Sequence, residues 1–171
     1  LMALRLIPGL VDLRPADAAE TVEAWKVALS RHNAPVALSL TRQGLPVFDR
    51  GECGSASGLA KGAYVMKDAE NAQVVLIGTG SEVAVAMEAQ AALAGEGISA
   101  RVVSMPSWKL FEEQDSAYQA EVLPAGVPRV SVEAGRTFGW ERWTQGGASI
   151  GIDRFGASAP GAEVADKLGV N

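Results

Sequence analysis

Two hydrophobic patterns alternate along this chain, short apolar runs and apolar residues at helical spacing. Apolar runs predict buried strands at Pro35–Leu40, apart from Ser39, and at Val74–Ile77, because a strand covered on both faces of a sheet needs no polar alternation. A further strand is predicted at Ala100–Ser104, where Met105 and Pro106 end it. Apolar residues at helical spacing follow Asp17 and Ser81, and they predict a helix after each of these polar positions. The repeated order of strand and helix predicts an α/β fold, with a mostly parallel sheet covered by helices.

Weaker signals predict the remaining elements. Short strands are predicted at Leu4–Ile7, Val11–Arg14, Tyr64–Lys67 and Arg129–Glu133, and helices at Glu113–Leu123, Ala134–Gly147 and Ala162–Leu168. The first long helix carries the best start signal. Asp17 is placed to cap it, and Glu20 follows three residues later, as in a capping box.

Glycine and serine crowd into residues 44 to 61, where the apolar periodicity stops. We therefore predict a partial α/β domain over residues 1–50, a linker over residues 51–61, and a second α/β domain over residues 62–171. Because half a domain leaves apolar faces uncovered, we expect the first part to be poorly ordered alone or to pack against another chain. The start at Leu1 suggests a piece of a longer chain, unless Met2 is the initiator.

Composition excludes several classes of function. The net charge of -5 disfavours nucleic acid as a partner, because phosphate binding needs clustered Lys and Arg. No apolar run is long enough to cross a membrane, so a membrane partner is not expected. Cys53 and His32 are the only residues of their kinds, which argues against a disulfide, a zinc site and histidine-based nucleophilic catalysis. A reducing, cytoplasmic setting is the expectation.

Two segments are candidate anion sites. Residues 78–83 read GTGSEV between a strand and a helix, where free backbone N–H groups can bind an anion. The alternative is a tight turn with Ser81 as the helix cap, and Glu82 would repel an anion. Arg42 follows the strand ending near Leu40, and the carboxyl ends of strands are where α/β sheets bind ligands. A surface arginine is the alternative there.

Other polar and aromatic residues have structural interpretations. Glu133 ends an apolar strand and is either a partly buried acid or a group bonded to nearby backbone. Asp12 and Arg14 could form a pair. Trp140 and Trp143 lie three residues apart, so they share a helical face and are predicted to be core or interface.

Taken in order, several segments resemble the C-terminal part of the transketolase family. They are RPAD (14–17) with ETVEAW (20–25), LTRQGLP (40–46), GAYV (62–65), GTGSEV (78–83), RVVSMPS (101–107), VEAG (132–135) and FGASAP (155–160). The resemblance covers nearly the whole chain. Thr41 and Gly44 depart from a usual Ser and Asn, and a final helix usual in the family is missing after Asn171.

The resemblance implies a transferase of the pentose phosphate pathway that moves a two-carbon ketol unit between sugar phosphates. The parent enzyme uses thiamine diphosphate and a divalent metal, Mg or Ca, and acts as a homodimer with further domains. By position, Arg42 matches the arginine that binds the substrate phosphate. No residue matches a catalytic, cofactor-binding or metal position, so the chain alone is expected to be inactive and to bind no cofactor.

Two alternatives stay open at this point. The chain could be a standalone anion-binding or assembly module that uses the helix N-terminus after Gly80. It could also be the C-terminal part of a related thiamine diphosphate enzyme, such as a 2-oxo acid dehydrogenase or a deoxyxylulose phosphate synthase. Arg42 with Gln43, and the ending at Phe155–Pro160, favour transketolase over both.

Overall fold

Two sheets organise residues 1–170, which are the residues that this computed structural model describes. The strands are β1 (Val11–Leu13), β2 (Val36–Leu38), β3 (Tyr64–Lys67), β4 (Val74–Gly78), β5 (Ala100–Ser104), β6 (Arg129–Val132) and β7 (Ala148–Ile150). β1 and β2 pair in parallel, and the larger sheet has the order β3-β5-β4-β6-β7. Only β3 runs antiparallel to its neighbour. The predicted α/β class with a mostly parallel sheet is confirmed.

Helices connect these strands and cover the sheets. They are α1 (Met2–Arg5), α2 (Ala18–Ser30), α3 (Glu82–Gly95), α4 (Trp108–Glu112), α5 (Ser116–Val122), α6 (Glu141–Thr144) and α7 (Gly161–Leu168), with a 3-10 helix at Ala56–Lys61. The predicted cap of α2 is confirmed, because Asp17 accepts a hydrogen bond from the Glu20 N–H at 2.8 Å. The reciprocal bond of a capping box is replaced, since Glu20 accepts from the Ala16 N–H instead.

The strand predicted at Leu4–Ile7 is wrong. Residues Met2–Arg5 form one helical turn, and both Leu6 and Ile7 are largely exposed. Met, Ala, Leu and Arg all have good helix propensity, so the local preference here is helical. Tertiary contacts reinforce it, because the turn places Arg5 among buried carboxylates.

Two predicted helices in the C-terminal half need correction, and one strand there was not predicted. The helix predicted at Glu113–Leu123 is present as the shorter α5, Ser116–Val122, because Asp115 caps it by accepting from the Tyr118 N–H, and the preceding helix α4, Trp108–Glu112, was not predicted. The helix predicted over Ala134–Gly147 is only four residues long. Strand β7 was not predicted, since its three residues lie at a sheet edge without a buried apolar run.

The larger sheet separates two hydrophobic clusters. In β4, Val75 and Ile77 pack with Trp108, Trp140 and Trp143 on one face, whereas Leu76 packs with residues of α3 on the other. This alternation explains the continuous apolar run, because both faces of β4 are covered. It also confirms that Trp140 and Trp143 belong to the core.

A third cluster joins the small sheet and α2 to the 3-10 helix and α4. Val11, Leu13 and Ala24 from the small sheet and α2 pack against Leu59 and Leu110. β1 is therefore buried by contacts within this chain, and residues 56–61 of the predicted linker are packed rather than extended. β2 is only half-buried, so its need for a neighbour outside the chain stays a prediction.

Candidate functional site

A cleft of about 820 Å³ lies beside Arg42. The segment after β2 forms one wall, the start of α3 forms a second, and residues around α7 form a third. Arg42 is exposed, and no side-chain hydrogen bond or ion pair links it to another residue between 1 and 170. Its guanidinium therefore has its donors available for a ligand.

The neighbouring residue ties the Arg42 segment to the C-terminal helix. A Cβ built on Gly161, the first residue of α7, would lie 2.7 Å from Nε2 of Gln43. A larger residue at position 161 would make the Gln43 amide move aside. The fold thus brings Gln43 and Gly161, which are distant in the sequence, together at one edge of the cleft.

The GTGSEV turn is occupied by the Arg14 side chain, so it does not present an open anion site. Arg14 donates to the Thr79 carbonyl at 2.7 Å and to the carboxylate of Glu82, and its chain passes over Gly80. Ser81 also donates to Glu82, at 2.6 Å. Because a carboxylate and its arginine occupy the start of α3, the tight turn is supported over anion binding. The predicted cap is not, since the Ser81 side chain makes no hydrogen bond to the N–H groups of the helix.

A second buried network surrounds Glu133, which is 2% exposed. Arg5 donates to both Glu133 oxygens at 2.7 Å and to Asp12 at 3.2 Å, and Trp140 donates its indole N–H to Glu133 at 2.8 Å. The predicted Asp12–Arg14 pair is therefore wrong, because Asp12 forms its ion pair with Arg5. The partners of the Glu133 carboxylate are side chains rather than the backbone considered as its alternative.

Arg5 also lies against aromatic rings. Its guanidinium carbon is 4.2 Å from the ring centroid of Trp108 and 5.6 Å from that of Trp140. A desolvated guanidinium over an aromatic face gains electrostatic energy, which offsets part of the cost of its burial. Together with Arg14, which is 3.7 Å from Glu133, it links the small sheet to the carboxyl end of β6.

A third network centres on Glu20, which is fully buried in α2. It accepts from the Tyr64 and Ser104 hydroxyls, each at 2.7 Å, and from the Ala16 N–H at 2.8 Å. Burial raises the pKa of Glu20 above its ordinary value, although these hydrogen bonds oppose the shift. The network joins α2 to β3 and β5, so it bridges the two sheets.

Buried carboxyls give this chain an expected pH dependence. The pKa values of Glu20 and Asp12 are both raised, chiefly by burial, so the folded chain binds their protons more tightly than the unfolded chain. Their contribution to stability therefore grows as pH falls through the folded pKa toward the ordinary values of 4.5 and 3.8. Hydrogen bonds from Thr137 lower the pKa of Asp153 below its ordinary value of 3.8. Asp153 therefore contributes to stability in the opposite direction, and its contribution is lost only below about pH 4.

We expect the stability difference between the wild type and Glu20→Gln to shift in favour of the wild type on acidification from about pH 7 to about pH 5. The glutamine keeps the shape of Glu20 but cannot titrate. Urea unfolding at both pH values, followed by far-ultraviolet circular dichroism, measures the difference. A difference that stays constant with pH would show that Glu20 titrates alike in both states.

The residues between 1 and 170 do not fit thiamine diphosphate or its metal. No group of three or more His, Cys, Asp or Glu residues in that range could hold a metal ion. The one glycine-rich turn before a helix carries Glu82, whose carboxylate would oppose a diphosphate. None of the described helices is long and apolar enough to cross a membrane.

The sequence signals missed several residues that the fold makes important. Arg5 was not a candidate, because nothing in an isolated arginine near a chain end predicts its burial. Glu20 was predicted only as a capping residue. Arg129 starts an apolar strand, and that unusual position for a charge was the one signal that could have drawn attention to it.

Two family profiles match the chain. The profile described as the transketolase-like C-terminal domain matches residues 62–171, and the profile described as the transketolase pyrimidine binding domain matches residues 1–47. Transketolase from Bacillus subtilis is 48% identical over 99% of this chain and 26% of its own length. The chromosomal transketolase of Cupriavidus necator is 49% identical over 98% of this chain and 25% of its own. The chain thus spans about a quarter of the length of these relatives.

Solved structures agree with these matches. Transketolase from Leishmania mexicana superposes with a TM-score of 0.92 at 44% identity, over 99% of this chain and 24% of that one. A split-gene transketolase, described as an inactive beta4 tetramer, superposes with a TM-score of 0.78 at 26% identity, over 98% of this chain and 56% of that one.

Proposed function

Because this chain belongs to the transketolase family, we propose that it supplies the phosphate-anchoring arginine for ketol transfer between sugar phosphates. The role belongs to Arg42. The observation that carries the proposal is the pairing of an exposed, unpartnered guanidinium with a cleft at the end of β2. A planar guanidinium can bind two oxygens of a phosphate group at once, which fixes its position as well as its charge.

The other charges of the cleft support this assignment. Arg14 and Glu82 also line it, but they are paired with each other, and this pairing leaves Arg42 available. Among the described residues that line the cleft, an incoming phosphate would therefore meet one free cation beside a neutralised pair. Glu88, an exposed acid, also lines the cleft and would repel an anion. The part of the cleft beside Arg42 is therefore the favourable place for a phosphate.

Catalysis itself is proposed to need the remaining domains of a transketolase. Thiamine diphosphate supplies the carbanion chemistry of ketol transfer when it is bound, and the residues of this chain do not fit it. We expect the chain alone to have no ketol transfer activity, in line with the inactive state named for the split-gene relative. Its part is to bind and orient a substrate phosphate.

An exposed apolar stripe supports a partner surface. Val22, Trp25 and Leu29 lie on one side of α2 and are 56%, 52% and 71% exposed. A contiguous stripe of this kind is costly in water and typical of an interface. We propose that the remaining domains, in a homodimeric assembly, cover this side. A cytoplasmic location stays a prediction.

The proposal is tested by replacing the matching quarter of Bacillus subtilis transketolase with this chain. We expect Arg42→Gln to lower kcat/KM for a phosphorylated acceptor by roughly 10- to 150-fold, because hydrogen bonds to charged groups contribute about 1.5–3 kcal/mol. The loss should be mainly in KM and should be much smaller for an unphosphorylated acceptor. Steady-state kinetics with both acceptors measures the split.

Two further variants make this test specific. Arg42→Lys keeps the charge but not the bidentate geometry, so it should recover only part of the loss. Arg154→Gln removes an exposed arginine that does not line the cleft, and it should leave both acceptors unaffected. Equal losses for both acceptors with Arg42→Gln would refute a phosphate-binding role, provided that the hybrid enzyme assembles.

A further inference from the structure

A second cavity, of about 480 Å³, lies at the opposite edge of the larger sheet. It contains Arg129, which begins β6, whereas Glu133 follows the end of that strand. The ends of α4, α5 and α6 contribute its other walls. It shares no lining residue with the cleft that holds Arg42.

Arg129 differs from the half-buried arginines of residues 1–170. Arg5, Arg14 and Arg50 are half-buried and each has a carboxylate within 4.0 Å, but no such partner is found for Arg129, which is buried at 4% exposure. Burial lowers the pKa of Arg129, and no acidic neighbour opposes this effect. A buried cation without a counterion is costly, so a bound anion would be stabilising here.

Backbone carbonyls compensate Arg129 only in part. It donates to the carbonyl oxygens of Trp143 at 2.8 Å, Leu123 at 2.8 Å and Pro124 at 3.1 Å. A guanidinium has five N–H donors, so these bonds leave two without a partner in the described part of the chain. The carbonyls are dipoles and carry no full negative charge.

An independent observation comes from Trp143. Its side chain lines the same cavity, and its buried indole N–H has no hydrogen-bond partner among residues 1–170. Trp143 is 7% exposed, and a buried indole N–H ordinarily finds an acceptor. An oxyanion would supply that acceptor.

The outer part of the cavity also favours an anion. Arg142 lies over the Trp143 ring, with its guanidinium carbon 5.0 Å from the centroid, and it pairs with Glu112 at 2.6 Å. Two arginines and one glutamate leave the lining with one excess positive charge. The Arg142–Glu112 pair is exposed, with side chains 54% and 31% accessible, so it contributes little to stability, unlike the buried Arg14–Glu82 pair. Arg142 can therefore exchange Glu112 for a ligand that enters from solvent and join Arg129 in holding it.

We propose that this cavity binds a small oxyanion, carried on a phosphate or carboxylate metabolite, through Arg129, Arg142 and the Trp143 indole N–H. The site belongs to the C-terminal domain and does not depend on the role of Arg42. The cavity, about 480 Å³, is large enough for a small metabolite that carries the oxyanion.

Nuclear magnetic resonance of the full 171-residue chain tests the proposal. The indole N–H signal of Trp143 is identified by its disappearance in Trp143→Phe. Inorganic phosphate and acetate are titrated separately, with sodium chloride keeping the ionic strength constant. We expect a saturable shift of that signal with at least one of these anions. The anion that binds more tightly indicates whether the site prefers a phosphate or a carboxylate.

Matched arginine variants separate a site from general charge. Arg142→Gln should weaken the binding roughly tenfold, because one charge-assisted contact is lost. Arg136→Gln breaks a similarly exposed pair, with Asp153, outside the cavity, and it should leave the titration unchanged. Arg129→Met also removes three carbonyl bonds and is expected to unfold the chain, so the test uses Arg142.

Two results would overturn the proposal. The first is no saturable shift of the Trp143 signal up to about 10 mM of either anion, which is ten times a Kd of 1 mM. The second is an equal shift in Arg142→Gln and in the wild type. Either result would leave Arg129 as a residue that binds only the ends of neighbouring helices.

Discussion

Replacing Arg5 with methionine is expected to destabilise the chain by about 3–5 kcal/mol. Methionine fills much of the volume under Trp108 but leaves Asp12 and Glu133 buried without their main counterion. Removing one member of a buried ionic network costs more than the network contributes, because the remaining charges keep their desolvation penalty. Chemical unfolding, followed by circular dichroism, measures the loss.

Lys26→Met is the matched control for Arg5→Met. Lys26 pairs with Glu23 on the surface of α2, with its side chain 65% exposed, and such pairs contribute about 0–1 kcal/mol. A loss below about 1 kcal/mol for Arg5→Met as well would mean that Arg14, 3.7 Å from Glu133, is sufficient as its counterion. Adding Glu133→Gln to Arg5→Met should restore part of the stability, because one of the unpaired charges is then gone.

Glu20→Ala is expected to cost about 3–5 kcal/mol, since it creates a cavity and removes the acceptor of buried donors. The Ala16 N–H cannot turn away, and the Tyr64 and Ser104 hydroxyls lose a shared acceptor. These donors lie on different elements, so the change should also loosen α2 from the larger sheet. Thermal and urea unfolding measure the first effect, and amide hydrogen exchange in α2 measures the second.

The control for this prediction is Glu23→Ala, which makes the same chemical change three residues later on the same helix. Glu23 pairs only with exposed Lys26, so its loss should stay within about 1 kcal/mol. Similar losses for the two variants would mean that the effect comes from the helix and not from the Glu20 network. Unchanged exchange in α2 for Glu20→Ala would contradict the proposed link between the sheets.

The hydrophobic pattern predicted the centre of the fold well. β4 was identified because its run is apolar on both faces, as expected for a strand covered on both sides. β5 was identified from a short run that ends before Pro106. Asp17 was identified as a cap because the bond is local, between residues three apart. The prediction failed where local preference is weak or ambiguous, as at Leu4–Ile7, whose apolar residues suit a strand or a helical turn equally.

Some residues of the candidate site could be identified from the sequence and others could not. Arg42 could be named from the sequence, because its place after a strand and its resemblance to the family are both properties of the linear chain. Its role stays a proposal. Arg14 could not be assigned, since its partners Thr79 and Glu82 lie more than 60 residues away along the chain. Only folding makes them neighbours.

By itself, the sequence determined the α/β class, the family and the place of Arg42, because each can be recognised from short segments in a fixed order along the chain. Tertiary structure alone decided which charges are buried and which are free. Arg5, Arg14 and Arg129 are equally charged in the sequence, yet the first two receive carboxylates and the third receives only carbonyl oxygens. The physical reason is that the cost of a buried charge depends on the groups within a few ångströms of it, and the fold brings those groups from distant parts of the chain.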